Sequence, residues 1–164
     1  MDPEIQTAFA KSFSGRLFAI AANKYVPLRL SETGDKWDWG IAPQYDWLMA
    51  GGKEQSIRLD FAFDSQTHDR LHYHISLASN GHPPKKLGLS RNDYLGFYQK
   101  TEVTDCWKIE PLELTEHGLI CYVRDHEGYR VGAIRDVPHH SRQPMYLLNT
   151  KEGETLTFLL RQSA

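Results

Sequence analysis

An all-β fold follows from three observations on this chain of 164 residues. A short strand-like phrase returns three times, apolar residues recur with period two, and turn chemistry falls between the runs. The phrase opens as Leu17-Phe18-Ala19-Ile20-Ala21-Ala22-Asn23, returns as His74-Ile75-Ser76-Leu77-Ala78-Ser79-Asn80, and returns again as Leu119-Ile120-Cys121-Tyr122-Val123-Arg124-Asp125. The copies lie about 50 residues apart, with loops of unequal length. A unit that cannot bury its own apolar face closes a core only when the copies assemble.

Taken in order, Asp2-Pro3-Glu4 has the chemistry of a helix start: a capping carboxylate, proline at the first helical position, then Ile5 and Phe9 four apart. A short N-terminal helix is expected. The opening strand of each copy leads to a second, in Leu28-Arg29-Leu30-Ser31, Leu87-Gly88-Leu89-Ser90 and Val131-Gly132-Ala133-Ile134. Third strands are read in Trp37-Asp38-Trp39-Gly40-Ile41, Tyr94-Leu95-Gly96-Phe97-Tyr98 and Met145-Tyr146-Leu147-Leu148-Asn149. The fourth strand shows the clearest alternation, Ile57-Arg58-Leu59-Asp60-Phe61-Ala62-Phe63-Asp64, and Ile57 and Leu59 match Trp107 and Ile109, then Leu156 and Phe158. Turns are marked by Asn80-Gly81-His82-Pro83-Pro84, Ser90-Arg91-Asn92-Asp93, His126-Glu127-Gly128 and Lys151-Glu152-Gly153-Glu154. Twelve short strands with even punctuation argue for a barrel or sandwich rather than βαβ units.

Three four-strand copies resemble the β-trefoil superfamily, over about Gly15 to Gln162. The resemblance implies one domain over 1–164, with pseudo-symmetric repeats at about 15–64, 71–114 and 118–162, six strands closing a short barrel and six forming hairpins over one end. A sandwich or calycin-like barrel with similar strands is the alternative, because alternation is generic. Ricin-type sugar-binding trefoils carry a Gln-x-Trp element, which this chain lacks; Gln44-Tyr45-Asp46-Trp47 has one residue too many. That family's sugar ligands are therefore carried over to no position.

Composition excludes several function classes. With 40% hydrophobic and 24% charged residues the chain is globular, and 19 basic against 21 acidic side chains give a net charge of −2, no footing for nucleic acid. The first thirty residues hold Asp2, Glu4, Lys11 and Arg16 without a long apolar run, so neither a signal peptide nor membrane insertion is expected. A cytoplasmic protein, or one released without a signal peptide, is the reading, with Cys106 and Cys121 as free thiols.

Candidate binding residues cluster in Asp35 to Trp47, where Trp37, Trp39, Tyr45 and Trp47 fall close together. Trp39 and Ile41 are expected to enter the core, while Tyr45-Asp46-Trp47-Leu48-Met49 is expected in a loop ending at Gly51-Gly52. An aromatic ring offers its face to sugar C–H groups, and a neighbouring Asp or Asn fixes the hydroxyls. On that chemistry Asp35, Trp37, Tyr45, Asp46 and Trp47 form the first candidate site; the alternative is that this loop folds back and plugs the barrel. Asn92, Asp93 and Tyr94 offer similar material in the second copy, and His139, His140 and Arg142 in the third, within Pro138 to Gln143.

Of the eight histidines, His72 and His74 share a strand face with His68 just before them, but no nearby Cys or carboxylate has a recognised ligand spacing. No metal and no cofactor is expected. Cys106 and Cys121 fall inside strand patterns, where a thiol is ordinarily inert, and no nucleophile elbow, phosphate loop or His-Glu-x-x-His occurs. The expectation is a non-enzymatic binding module with a carbohydrate partner. The rival is a protein-binding domain, such as a protease inhibitor using His82-Pro83-Pro84-Lys85-Lys86 or Pro138 to Pro144 as a rigid loop, or an accessory part of a larger assembly. The sequence sets no oligomeric state.

Overall fold

A computed structural model of the chain describes residues 1–30, 47–52, 55–78, 85–99, 103–136 and 145–163. Helix α1 (Pro3–Phe9) opens the chain. Strands follow as β1 (Phe13–Ala21), β2 (Lys24–Leu30), β3 (Leu48–Ala50), β4 (Arg58–Gln66), β5 (Leu71–Leu77), β6 (Lys85–Leu89) and β7 (Leu95–Gln99). They continue as β8 (Trp107–Thr115), β9 (Gly118–Arg124), β10 (Gly132–Asp136), β11 (Met145–Asn149), β12 (Glu154–Thr155) and β13 (Thr157–Gln162). Among the described residues the fold is all-β apart from α1, as the period-two alternation requires. The last copy contributes one strand more than expected, because the run around Leu156 divides into β12, which pairs with β10, and β13, which pairs with β1 and β9.

All of the pairings are antiparallel, and six of them return to their starting strand. β1 pairs with β4, β4 with β5, β5 with β8, β8 with β9, β9 with β13, and β13 with β1. Closing a sheet on itself removes the exposed edges that invite aggregation. Three hairpins stand off this ring, β2–β3, β6–β7 and β10–β11, and β3 also pairs with β11.

Alternation along the ring strands decides what is inside. Leu17 and Ala19 on β1, Leu59 and Phe61 on β4, Leu71, Tyr73 and Ile75 on β5, Trp107 and Ile109 on β8, Leu119, Cys121 and Val123 on β9, and Phe158 and Leu160 on β13 are all buried. Tyr73 sits among Phe13, Phe61 and Phe63 in edge-to-face contacts, with centroids 5.6 to 5.9 Å away. Its hydroxyl donates to the carbonyl of Phe9, so the barrel core holds α1 directly. Asp2 caps α1 by accepting from the Glu4 amide at 2.7 Å, and Ile5 and Phe9 are the buried face, as their four-residue spacing requires. Gln162 Nε2 donates to the Ala8 carbonyl at 2.7 Å, fixing the helix from the last strand as well.

Two expectations are corrected. The segment Leu48-Met49, read as loop, lies in strand β3, where Leu48, Met49 and Ala50 are all buried. β3 pairs with β2 as β7 pairs with β6; the strand read at Trp37 to Ile41 lies outside the described residues. A strand covered on both faces carries no alternation to betray it. Cys106, read as lying within a strand, lies one residue ahead of β8 and is half-buried; Cys121 is fully buried in β9, and both thiols are free.

Candidate functional site

The third strands of the three copies meet at one place. Trp47, entering β3, forms a bridge with Gly96 of β7, and Tyr94, entering β7, forms a bridge with Asn149 of β11. At this junction opens a cleft of about 680 Å³ lined by Trp47, Leu89, Ser90, Arg91, Asn92, Tyr94, Tyr98 and Leu147. The Trp47 and Tyr94 rings meet edge to face in its lining, centroids 6.0 Å apart and planes at 73°. Aromatic rings beside polar groups are the combination that recognises an amphipathic ligand.

The turn Ser90-Arg91-Asn92-Asp93 sets the polar rim. Ser90 Oγ accepts from the Tyr94 amide at 3.1 Å and the Asn92 amide at 3.3 Å, while the Asp93 amide donates to the Ser90 carbonyl at 3.0 Å. Asp93 adopts φ +67°, a conformation that Asp and Asn tolerate better than most residues. Its side chain lies 3.6 Å from Lys151 Nζ and does not line the cleft, so Asp93 shapes the turn while exposed Arg91 and Asn92 present side chains. Burial alone raises the pKa of Tyr98, which keeps the phenol a neutral hydrogen-bonding group.

Asn149 ties this rim to the third copy. It is fully buried, its Oδ1 accepts from the amides of Lys151 and Glu152 at 2.8 and 2.9 Å, and its Nδ2 donates to the Asn92 carbonyl at 2.9 Å. Asn149→Ala is expected to cost about 1–3 kcal/mol through the orphaned amides. Asn149→Asp keeps the acceptor and removes only the donor to Asn92. Thermal unfolding of both variants checks this, with the larger fall expected for alanine.

Of the residues singled out from the sequence, the structure thus brings together Trp47, Asn92 and Tyr94, with Asp93 behind them. Asp35, Trp37, Tyr45, Asp46, His139, His140 and Arg142 lie outside the described residues, as do Trp39 and most of both proline-bearing loops. Leu89, Ser90, Arg91, Tyr98 and Leu147 were missed as lining residues. The turn at Ser90 was legible, but nothing local in the sequence joins Leu147 to Trp47.

No protein-family model matches the chain, and no curated protein or solved structure matches it. No described helix is long and apolar enough to cross a membrane.

Proposed function

We propose that the chain is a β-trefoil that binds carbohydrate, without catalysis, in the cleft lined by Trp47 and Tyr94. The trefoil reading is supported by the six-strand ring, to which each copy gives its first and last strands, and by the three hairpins that the copies give in turn. The observation that carries the binding reading is the aromatic pair set beside Asn92 and Arg91 in an open cleft. The ring faces take the apolar side of a sugar, and the amide and guanidinium take its hydroxyls. Ser90 Oγ is engaged by the turn, so recognition rather than nucleophilic attack is the chemistry this lining supports.

A glycan array probed with the full chain tests the reading. Retention of a defined glycan class, competed by the free sugar, is expected. If no glycan is retained at high protein concentration and a protein partner co-purifies instead, the lectin reading falls.

A further inference from the structure

A second cluster of chemistry-bearing side chains lies on the outer wall of the ring. One donor atom each from Asp64, His72 and Cys106 lie within 4.8 Å of one another. They come from β4, β5 and the residue before β8, brought together because β5 pairs with β4 on one side and β8 on the other. His72 alternates with buried Leu71 and Tyr73, so it faces away from the core. Asp64 sits at a register shift between Phe63 and Ser65, a bulge of the kind that re-aims a side chain.

The hydrogen bonds around these groups prepare one nitrogen. Ser65 Oγ donates to Asp64 Oδ2 at 2.8 Å and lies 3.2 Å from His72 Nδ1. With its own proton directed to the carboxylate, the serine oxygen accepts from Nδ1–H, which leaves a lone pair on Nε2. Nε2 is enclosed and has no hydrogen-bond partner among the described residues. An enclosed nitrogen without a partner is costly unless something occupies its lone pair. On the other side of the carboxylate, His74 Nε2 lies 3.6 Å from Asp64 Oδ1, and His74 Nδ1 is 3.3 Å from Lys86 Nζ. Lys86 has only protons to give, so His74 Nδ1 accepts and its Nε2–H faces Asp64, the outer support that ligating carboxylates ordinarily have.

We propose that Asp64, His72 and Cys106 bind a divalent cation of the zinc class through a carboxylate oxygen, Nε2 and Sγ, with water as the fourth ligand. Mixed sulfur, nitrogen and oxygen donors suit a borderline-soft ion in tetrahedral geometry. Tetrahedral bonds of about 2.0–2.3 Å place donors about 3.4–3.6 Å apart, so from separations within 4.8 Å loading needs the three to close by no more than about 1.4 Å. Binding releases the Cys106 proton to solvent and leaves the thiolate on the metal. The same residue types also suit a thiol nucleophile, which needs a cationic neighbour to hold the thiolate. Here burial first, and then the Asp64 carboxylate, push the Cys106 thiol up against the opposing pull of Lys108. A carboxylate beside the thiol disfavours a free thiolate and favours one balanced by a dication.

The test uses the full chain after chelator treatment, titrated with cobalt(II) chloride alone and then with zinc chloride in competition. One equivalent of cobalt is expected to bind with a thiolate-to-metal charge-transfer band, which zinc bleaches. Cys106→Ser should remove that band although Cys121 remains, and His72→Gln should weaken uptake by at least about tenfold. Both variants should keep the parent far-ultraviolet circular dichroism and glycan retention, which separates this site from the cleft. The proposal is overturned if folded parent protein takes up substoichiometric cobalt, or if the band persists in Cys106→Ser.

Discussion

Trp47→Ala is expected to weaken glycan retention by at least about thirtyfold, equivalent to about 2 kcal/mol, while the domain stays folded. The effect is large because Trp47 supplies a wall of the cleft and also one half of the 6.0 Å contact that orients Tyr94. Truncation removes the stacking face and lets the opposite ring relax, so two contributions are lost with one side chain. Trp47 bridges to Gly96 ahead of β3 and is not among the buried residues of the barrel core, so the domain is expected to stay folded. Trp47→Phe keeps an aromatic face and should recover part of the affinity. Titration of the glycan selected on the array, with parallel thermal unfolding, reads both quantities. Equal affinity for parent and Trp47→Ala would remove the cleft from the mechanism.

Tyr73→Ala is expected to lower the unfolding free energy by about 3–5 kcal/mol, as measured by denaturant titration. Tyr73 has no exposed surface and packs against three phenylalanine rings, so truncation opens a cavity where the surroundings are already tightly filled. Domains of this size are stable by about 5–15 kcal/mol, so one substitution consumes a large part of the margin. Tyr73→Phe separates the two roles of the residue. It keeps the ring and loses only the bond to the Phe9 carbonyl, and about 1 kcal/mol is expected. The cost in that variant should fall on the docking of α1, seen as weaker protection of its amides against exchange.

The part of the fold that was legible was the part whose physics is local. Leu59 and Phe61 alternate with Arg58 and Asp60 because one face of β4 is buried and the other is wet, and the same holds for β5 and β9. The turns at Gly128 and Gly153 were readable because the backbone there takes φ of +96° and +89°, where a side chain is strained. β3 was missed for the converse reason: Leu48, Met49 and Ala50 are buried together and show no period. At the cleft, Trp47 stood out through the density of aromatics around it, and Asn92 and Tyr94 through their turn. Tyr98 and Leu147 had no such signal, because the register of β7 against β3 and β11 is a property of the assembled chain. The grouping of Asp64 and Cys106 with His72 was hidden likewise, since strand pairing and a bulge place them together.

The ladder between β1 and β13, which matches Gly15 with Gln162 and Ile20 with Thr157, has a consequence for synthesis. On a ribosome the segment Phe13–Ala21 emerges long before its partner strand Thr157–Gln162. The hoop stays open along that seam until then, with the apolar sides of Leu17 and Ala19 unsheltered by Phe158 and Leu160. Nascent chains stalled before Thr157 should therefore engage holding chaperones, and emergence of β13 should discharge them.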